Sequence, residues 1–327
     1  MTLPGLPPIN PLNLRPLLML DVAHEMMLSE DWPLRAVSVV FESHTDPAAR
    51  FSFYGANHPD SIDEVHHRRL DVAILNPVAL LNMARLGRGA YDRPRDVATI
   101  AVLPHYDQLG FAVADRLGFE RLTDIAAARY PLRVSVRGSL DAATSISVDV
   151  VLRAHGLSLD DITAWGGTVS YDQPMPMRGD TDRIGRLAAG EIDAIFEEGT
   201  ILWADAVAGA GASLLPIDDE HLRILEHQGF RRGVIEKSLY PSLPADVPTI
   251  DYSGWPVFCR SDTSDLVVEQ FCRGLESAKD HLVWDLGPVR QAPLPLDRMV
   301  IDSPATPFDV PLHPRARAVW RELGYPA

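Results

Sequence analysis

The sequence is short of cysteine. Its 327 residues hold two, Cys259 and Cys272, which make neither a disulfide framework nor a zinc-ligand spacing. They are expected to be buried as small hydrophobes. Long hydrophobic runs are missing as well: none approaches the ~18 residues of a membrane-spanning helix. Positive charge is scarce, with 30 Lys and Arg against 45 Asp and Glu and a formal net charge of −15. Long-range repulsion from such a surface opposes encounter with nucleic acid or an anionic membrane. Catalytic signatures are absent too. There is no G-x-S-x-G, H-E-x-x-H, Walker loop or G-x-G-x-x-G. His66-His67 reads as the solvated side of a helix, and His24-Glu25 is too little for a metal motif. No catalytic residue, cofactor or metal is therefore expected. The first residues, MTLPGLPPINPLNLRPLLMLDVAHE, carry no basic region, clean apolar core or small-residue cleavage site. Taken from Met1, the chain is expected to stay in the cytoplasm.

What is present is an ordinary globular composition, 46% hydrophobic and 23% charged, in a chain long enough for two lobes. The stretch Leu132–Gly156 organises the rest. It reads as a β-branched strand to Val136, a turn at Gly138, and a helix to about Ala154 that Gly156 stops. Ser139 or Asp141 is placed to cap that helix. Other strands are expected at 35–41, 51–54, 70–75, 97–103, 110–114, 192–196, 213–217 and 255–260. Helices are expected at 14–29, 61–69, after Asn76-Pro77, and at 122–129, 184–189, 201–208, 218–228, 266–281 and 314–323. Met1–Pro11 reads as an extended arm, Pro241–Pro248 as a proline-rich crossover, and most of the tail after Pro288 as loop.

Strands that alternate with helices make mostly parallel sheets. The expected fold is α/β, two doubly wound lobes with a cleft between them. Residues 1–113 would begin lobe 1, 114–248 would form lobe 2, and 249–327 would return to lobe 1. Crossovers are expected near Leu109–Ala114 and near Leu215–Tyr252. In such sheets ligands bind at strand C-termini. Asn57 and His58 lie in a turn before a helix, and Asn76 directly follows a strand. His105 and Tyr106 sit in a polar loop near the first crossover. Ser139, Asp141 and Thr144 belong to the central turn, and Glu197 and Glu198 end a strand. These ten residues are the candidate ligand contacts.

Several segments, in a shared order, resemble the TAXI family of solute receptors from TRAP transporters. They are Gly138–Thr144 with Val151–Leu157, Gly190–Phe196 (GEIDAIF), Tyr240-Pro241 with Asp246–Thr249, and Pro311–Pro314 (PLHP). The resemblance covers about Leu70 to Leu323. It implies the type II periplasmic-binding-protein fold, capture of a small polar organic ligand, a TRAP membrane component as partner, and the periplasm once a leader is removed. The family's opening strand and Gly-rich first loop have no counterpart before Leu14. Asp141 stands where the family has glycine, so a neutral or cationic ligand is expected rather than a dicarboxylate. The second reading is a cytoplasmic enzyme on the same bilobal fold, acting on a small metabolite.

Overall fold

A computed structural model describes residues 14–27, 36–42, 50–55, 58–139, 142–172, 181–280, 284–285, 290–292 and 294–327. The proposed arm at Met1–Pro11 and the candidates Asn57 and Asp141 lie outside them. The strands are β1 (Val37–Glu42), β2 (Arg50–Gly55), β3 (Val72–Ile74), β4 (Ala98–Leu103), β5 (Gly110–Ala114), β6 (Arg133–Arg137), β7 (Thr168–Asp172), β8 (Ala194–Glu197), β9 (Ala212–Leu214), β10 (Arg232–Ile235), β11 (Val247–Ile250), β12 (Trp255–Cys259), β13 (Trp284–Asp285) and β14 (Arg290–Ala292).

Ten of them form two separate five-stranded sheets, ordered β1-β2-β3-β12-β4 and β7-β6-β8-β5-β9, and the other four pair as β10-β11 and β13-β14. In the second, β6 runs parallel to β7 and β8, while β5 is antiparallel to β8 and β9. In the first, β12 is antiparallel to β3 and β4. The two late-arriving strands are thus exchanged: β5 enters the second sheet straight from β4, and β12 returns to the first. This is a two-lobed, doubly wound α/β fold, one five-stranded sheet to each lobe. Strand β5 lies wholly in the second sheet, so the chain changes sheet before Gly110, in residues 104–109.

The strands carry apolar side chains on both faces, as two-sided burial requires. Phe111, Val113, Val134, Val136 and Phe196 face one core, which also takes in Ile62, Leu80 and Leu225 and so runs between the sheets. Ala112, Ala114 and Ile195 face a second core with Trp203 and Tyr240. The far side of the first sheet packs Ile100, Val257 and Trp320 with both cysteines, which are free and buried as expected.

Local readings are corrected in four places. The central helix runs Ala143–Ala154 with Ala142 at the cap position and no side-chain cap; Ser139 instead accepts on its carbonyl from Ala142 N and Ser145 Oγ. The last two residues of the segment 241–248 read as crossover belong to β11, whose Pro248 pairs opposite Val234 of β10, in a two-stranded ribbon where a missing N–H is tolerated. The segment 201–208 is split into a 3-10 turn, Thr200–Leu202, and a helix, Ala204–Gly209. His66 is no solvated residue, because its Nδ1 accepts from Asp96 N at 3.1 Å. Helix Leu159–Ala164 and strand β7 were not read from sequence at all.

The two crossover segments run side by side. Leu109 N donates to Ile250 O at 3.3 Å, Tyr252 N to Asp107 O at 2.9 Å, and Gly254 N to His105 O at 2.9 Å. Ser253 Oγ adds a bond to Asp107 O at 3.1 Å and accepts from Asp107 N at 3.0 Å. Gly254 is needed at this crossing. Its φ is +78°, and a Cβ there would stand 2.8–2.9 Å from Pro307 Cδ, Val102 Cγ1 and Val78 Cγ2. Gly254→Ala is therefore expected to destabilise by roughly 1–3 kcal/mol, read as a lower urea midpoint with an unchanged slope.

Helix Asp219–Gln228 ties the lobes from another side. Its terminal Gly229 O accepts from Asn82 Nδ2 at 3.0 Å, while its His221 stacks on His155 of the central helix, ring centroids 4.1 Å apart. Burial pushes the His155 imidazole from 6.5 down to about 4, against the pull of its bond to Val151 O. The folded chain then keeps His155 neutral where the unfolded chain takes up a proton, so this contribution to stability is present above pH 6.5 and lost as pH falls towards 4. The melting temperature of His155→Gln is expected to depend less steeply on pH between 6.5 and 4.5 than that of the wild type; parallel curves from calorimetry would contradict this.

Candidate functional site

Four strand ends meet at the paired crossovers. In the second sheet β6 feeds Arg137, Gly138 and the central helix, and β8 feeds Glu197, Glu198, Gly199 and Thr200. β6 and β8 are neighbours with β7 wound to the other side, so the gap at their C-termini is a topological switch point. Gly138 makes the turn with φ +84°, where a Cβ would press on Ala142 Cβ at 2.9 Å. In the first sheet β3 leads into Asn76 and β4 into His105, on either side of the start of β12.

The chemistry at this junction is a set of largely buried charges. Asp107 is buried, and its Oδ2 accepts from Gly199 N at 2.6 Å while Oδ1 accepts from Thr200 N at 3.2 Å. Thr200 Oγ1 meets the Tyr240 hydroxyl at 3.0 Å. His105 Nε2 stands 3.7 Å from Asp107 Oδ2, its ring edge-on to Trp255. Arg183 Nη1 contacts Glu197 Oε2, both side chains 2% exposed. Arg137 Nη1 contacts Glu198 Oε1 and lies 3.6 Å from Glu197 Oε1. That last oxygen is buried and accepts no hydrogen bond among the described residues. Burial pushes the Glu197 carboxyl up to about 7, opposed by Arg183 and Arg137 and reinforced by the like charge of Asp107. Three carboxylates thus face two guanidiniums, and acid is in excess.

Of the sequence candidates, His105, Glu197 and Glu198 come together here. Thr144 is buried nearby, its Oγ1 3.3 Å from the hydroxyl of the buried Tyr252. Asn76 is 2% exposed and its Nδ2 donates to Tyr252 O and Gly254 O at 3.2 and 3.0 Å, which makes it a clamp on the second crossover. Tyr106 turns outward and donates to Glu236 Oε1 at 3.0 Å. Ser139 is exposed at the central turn. His58 sits apart, on a 430 Å³ cavity beside Tyr54, Asp60 and Glu64 of the first lobe. A second cavity, 710 Å³, lies between Phe51 of β2 and Gln270; neither is lined by the crossover loops. Sequence reasoning did not pick Asp107, Arg137, Arg183 and Tyr252 as contacts. Asp107 lay inside the polar loop already singled out, and Arg137 adjoins Gly138; Arg183 and Tyr252 carry no local signal.

Removing one partner of a buried ion pair leaves the other charge unpaired, typically at ~3–5 kcal/mol, whereas removing both costs far less. At pH 8, Glu197→Leu is expected to lose stability of that order, and Glu197→Leu with Arg183→Met to recover part of it. Urea denaturation of the two singles and the double measures the coupling; additive losses would mean the pair does not act as one.

Comparison with known proteins places the chain. Among solved structures it is similar to the alkanesulfonate-binding protein SsuA from Xanthomonas axonopodis pv. citri bound to MOPS, at 13% identity and a TM-score of 0.32. That match covers 68% of this chain and 60% of the other, so the chain spans less than two thirds of that protein's length. It is similar to PhnD1 from Prochlorococcus marinus in complex with methylphosphonate, at 12% identity and a TM-score of 0.37, over 82% and 83% of the two chains. It is also similar to the periplasmic aliphatic sulphonate binding protein SsuA from Escherichia coli, at 12% identity and a TM-score of 0.30, over 68% and 58%. No curated protein matches the sequence significantly. The family model for NMT1-like proteins matches residues 55–324, and the chain belongs to the NMT1-like family.

Proposed function

We propose that this protein is a solute-binding receptor that takes up a small polar organic molecule at the junction of its two lobes. The observation that carries the reading is the meeting of polar strand ends from both sheets at the paired crossovers: Asn76 and His105 from one, Arg137, Thr144 and Glu198 from the other. A pair of crossover segments is the usual hinge of lobe closure. The finer assignment is a receptor of the TAXI type that delivers its solute to a TRAP membrane component from the periplasm. It rests on the ordered segments from Gly138–Thr144 to Pro311–Pro314. Among the described residues no helix is long and apolar enough to cross a membrane. Fractionation of cells carrying the native gene tests the location, with recovery from the periplasm expected.

The acid excess at Asp107, Glu197 and Glu198 favours a neutral solute or one with a cationic group. A thermal-shift screen in EDTA over amines, amino acids, dicarboxylates, an alkanesulfonate and methylphosphonate should give its largest shifts with amines or amino acids. Calorimetric titration of the best compound into wild type and Glu198→Gln should then show affinity down by about tenfold or more, one charge-assisted hydrogen bond contributing ~1.5–3 kcal/mol. Tighter binding of a dicarboxylate than of any amine would remove the charge assignment, and no shift with any compound would remove the receptor reading.

A further inference from the structure

We infer that the first crossover carries a divalent transition-metal site formed by His105 Nε2, Asp107 Oδ2 and a carboxylate oxygen of Glu198. One ligand atom from each of the three lies within 4.8 Å of the others. Two donors each ~2.0–2.2 Å from a tetrahedral zinc ion stand ~3.4 Å apart, and His105 Nε2 is 3.7 Å from Asp107 Oδ2. The set closes around a metal with small side-chain movements. Its composition, one imidazole and two carboxylates, suits a first-row divalent metal such as zinc or manganese rather than calcium.

The surroundings support the donors in the way outer-shell groups do. Gly199 N and Thr200 N hold the Asp107 carboxylate from behind. The His105 ring is braced edge-on by Trp255, and its own amide donates to Ala305 O at 2.8 Å. Asp107 and Glu198 are buried, while His105 remains partly exposed and offers the entry side.

Arg137 is the competitor, since it neutralises Glu198 now. It also explains the second observation at this place. Glu197 Oε1 is 3.6 Å from Arg137 Nη1, 2% exposed as a side chain, and without a hydrogen bond among the described residues. A metal that takes Glu198 releases Arg137 to turn to Glu197, which gives that buried oxygen the partner it lacks. The exchange leaves no carboxylate of the group unpaired. Three protein donors leave at least one coordination position for water or for a solute atom, as an open site does.

The inference does not rest on the receptor reading, because the metal alone is titrated. Zinc chloride is titrated by calorimetry into EDTA-stripped, dialysed wild-type protein, and cobalt(II) is added separately to read its visible absorption. One zinc per chain is expected, with a raised melting temperature and a cobalt spectrum of low-symmetry nitrogen and oxygen coordination. His105→Ala should weaken zinc by at least the ~10–100-fold that the loss of even an outer-shell partner costs. Glu198→Gln, nearly isosteric, should do the same while circular dichroism stays unchanged. His66 and His67, whose rings are 4.9 Å apart, provide the control: His66→Ala with His67→Ala should leave the strong site intact. Zinc binding that survives His105→Ala and Glu198→Gln, that disappears in the His66 and His67 variant, or that is absent from the wild type overturns the inference. None of these outcomes bears on amine binding measured in EDTA, so the two readings fail separately.

Discussion

The pairing of the two crossover segments is the constraint from which the rest of the molecule follows. Residues 105–109 leave the first sheet and residues 250–254 return to it, and their backbones bond to each other at three amides and through Ser253. A chain that exchanges one strand between two sheets must pass twice through the same narrow place. Each pass carries buried peptide groups that need partners, and here each pass satisfies the other. Asn76 completes the arrangement by donating to the carbonyls of Tyr252 and Gly254. The absence of a side chain at Gly254 lets the strands approach over Val78, Val102 and Pro307.

That geometry explains why the charged residues gather where they do. Parallel strands β6 and β8 end side by side, and the antiparallel β5 begins beside them. Polar residues at those ends, Arg137, Glu197, Glu198 and Asp107, are carried to one point whether or not they attract one another. Once there, burial raises the free energy of each unpaired charge. The arginines answer the carboxylates almost fully, and one oxygen of Glu197 is left over. The result is a near-balanced, largely buried cluster with a slight acid excess.

Much of the architecture was legible in the chain. The strand at Leu70–Leu75 appears as β3 and that at Val97–Leu103 as β4, because both are short runs of β-branched and aliphatic residues bounded by Asp71 or Asp96 and by proline. The helix stop before Gly156 and the turn at Gly138, with φ of +83° and +84°, follow from the one residue type that tolerates such backbone. Strand β7 was missed although Val169 and Tyr171 alternate with Ser170 and Asp172 in Thr168–Asp172; the side chains of Ser170 and Asp172 bond to Val134 O and Ser135. The cap expected of Ser139 failed because the helix begins only at Ala143, with Ala142 at its cap position.

The sequence by itself determined the alternation of strands with helices, the two-sided burial of the strands and the acidic surface, since these depend on residue type and spacing within a few positions. It also marked His105, Glu197 and Glu198 as residues at strand ends. Only the tertiary structure decided that His105 meets Asp107 and Glu198, that Arg183 reaches Glu197 from a helix, and that Tyr106 turns away to Glu236. Those contacts join positions separated by up to 130 residues, and which of them form is settled by the strand exchange between the sheets. Periodicity tells which face a residue is on, but the partner across that face is chosen by how the chain crosses and returns.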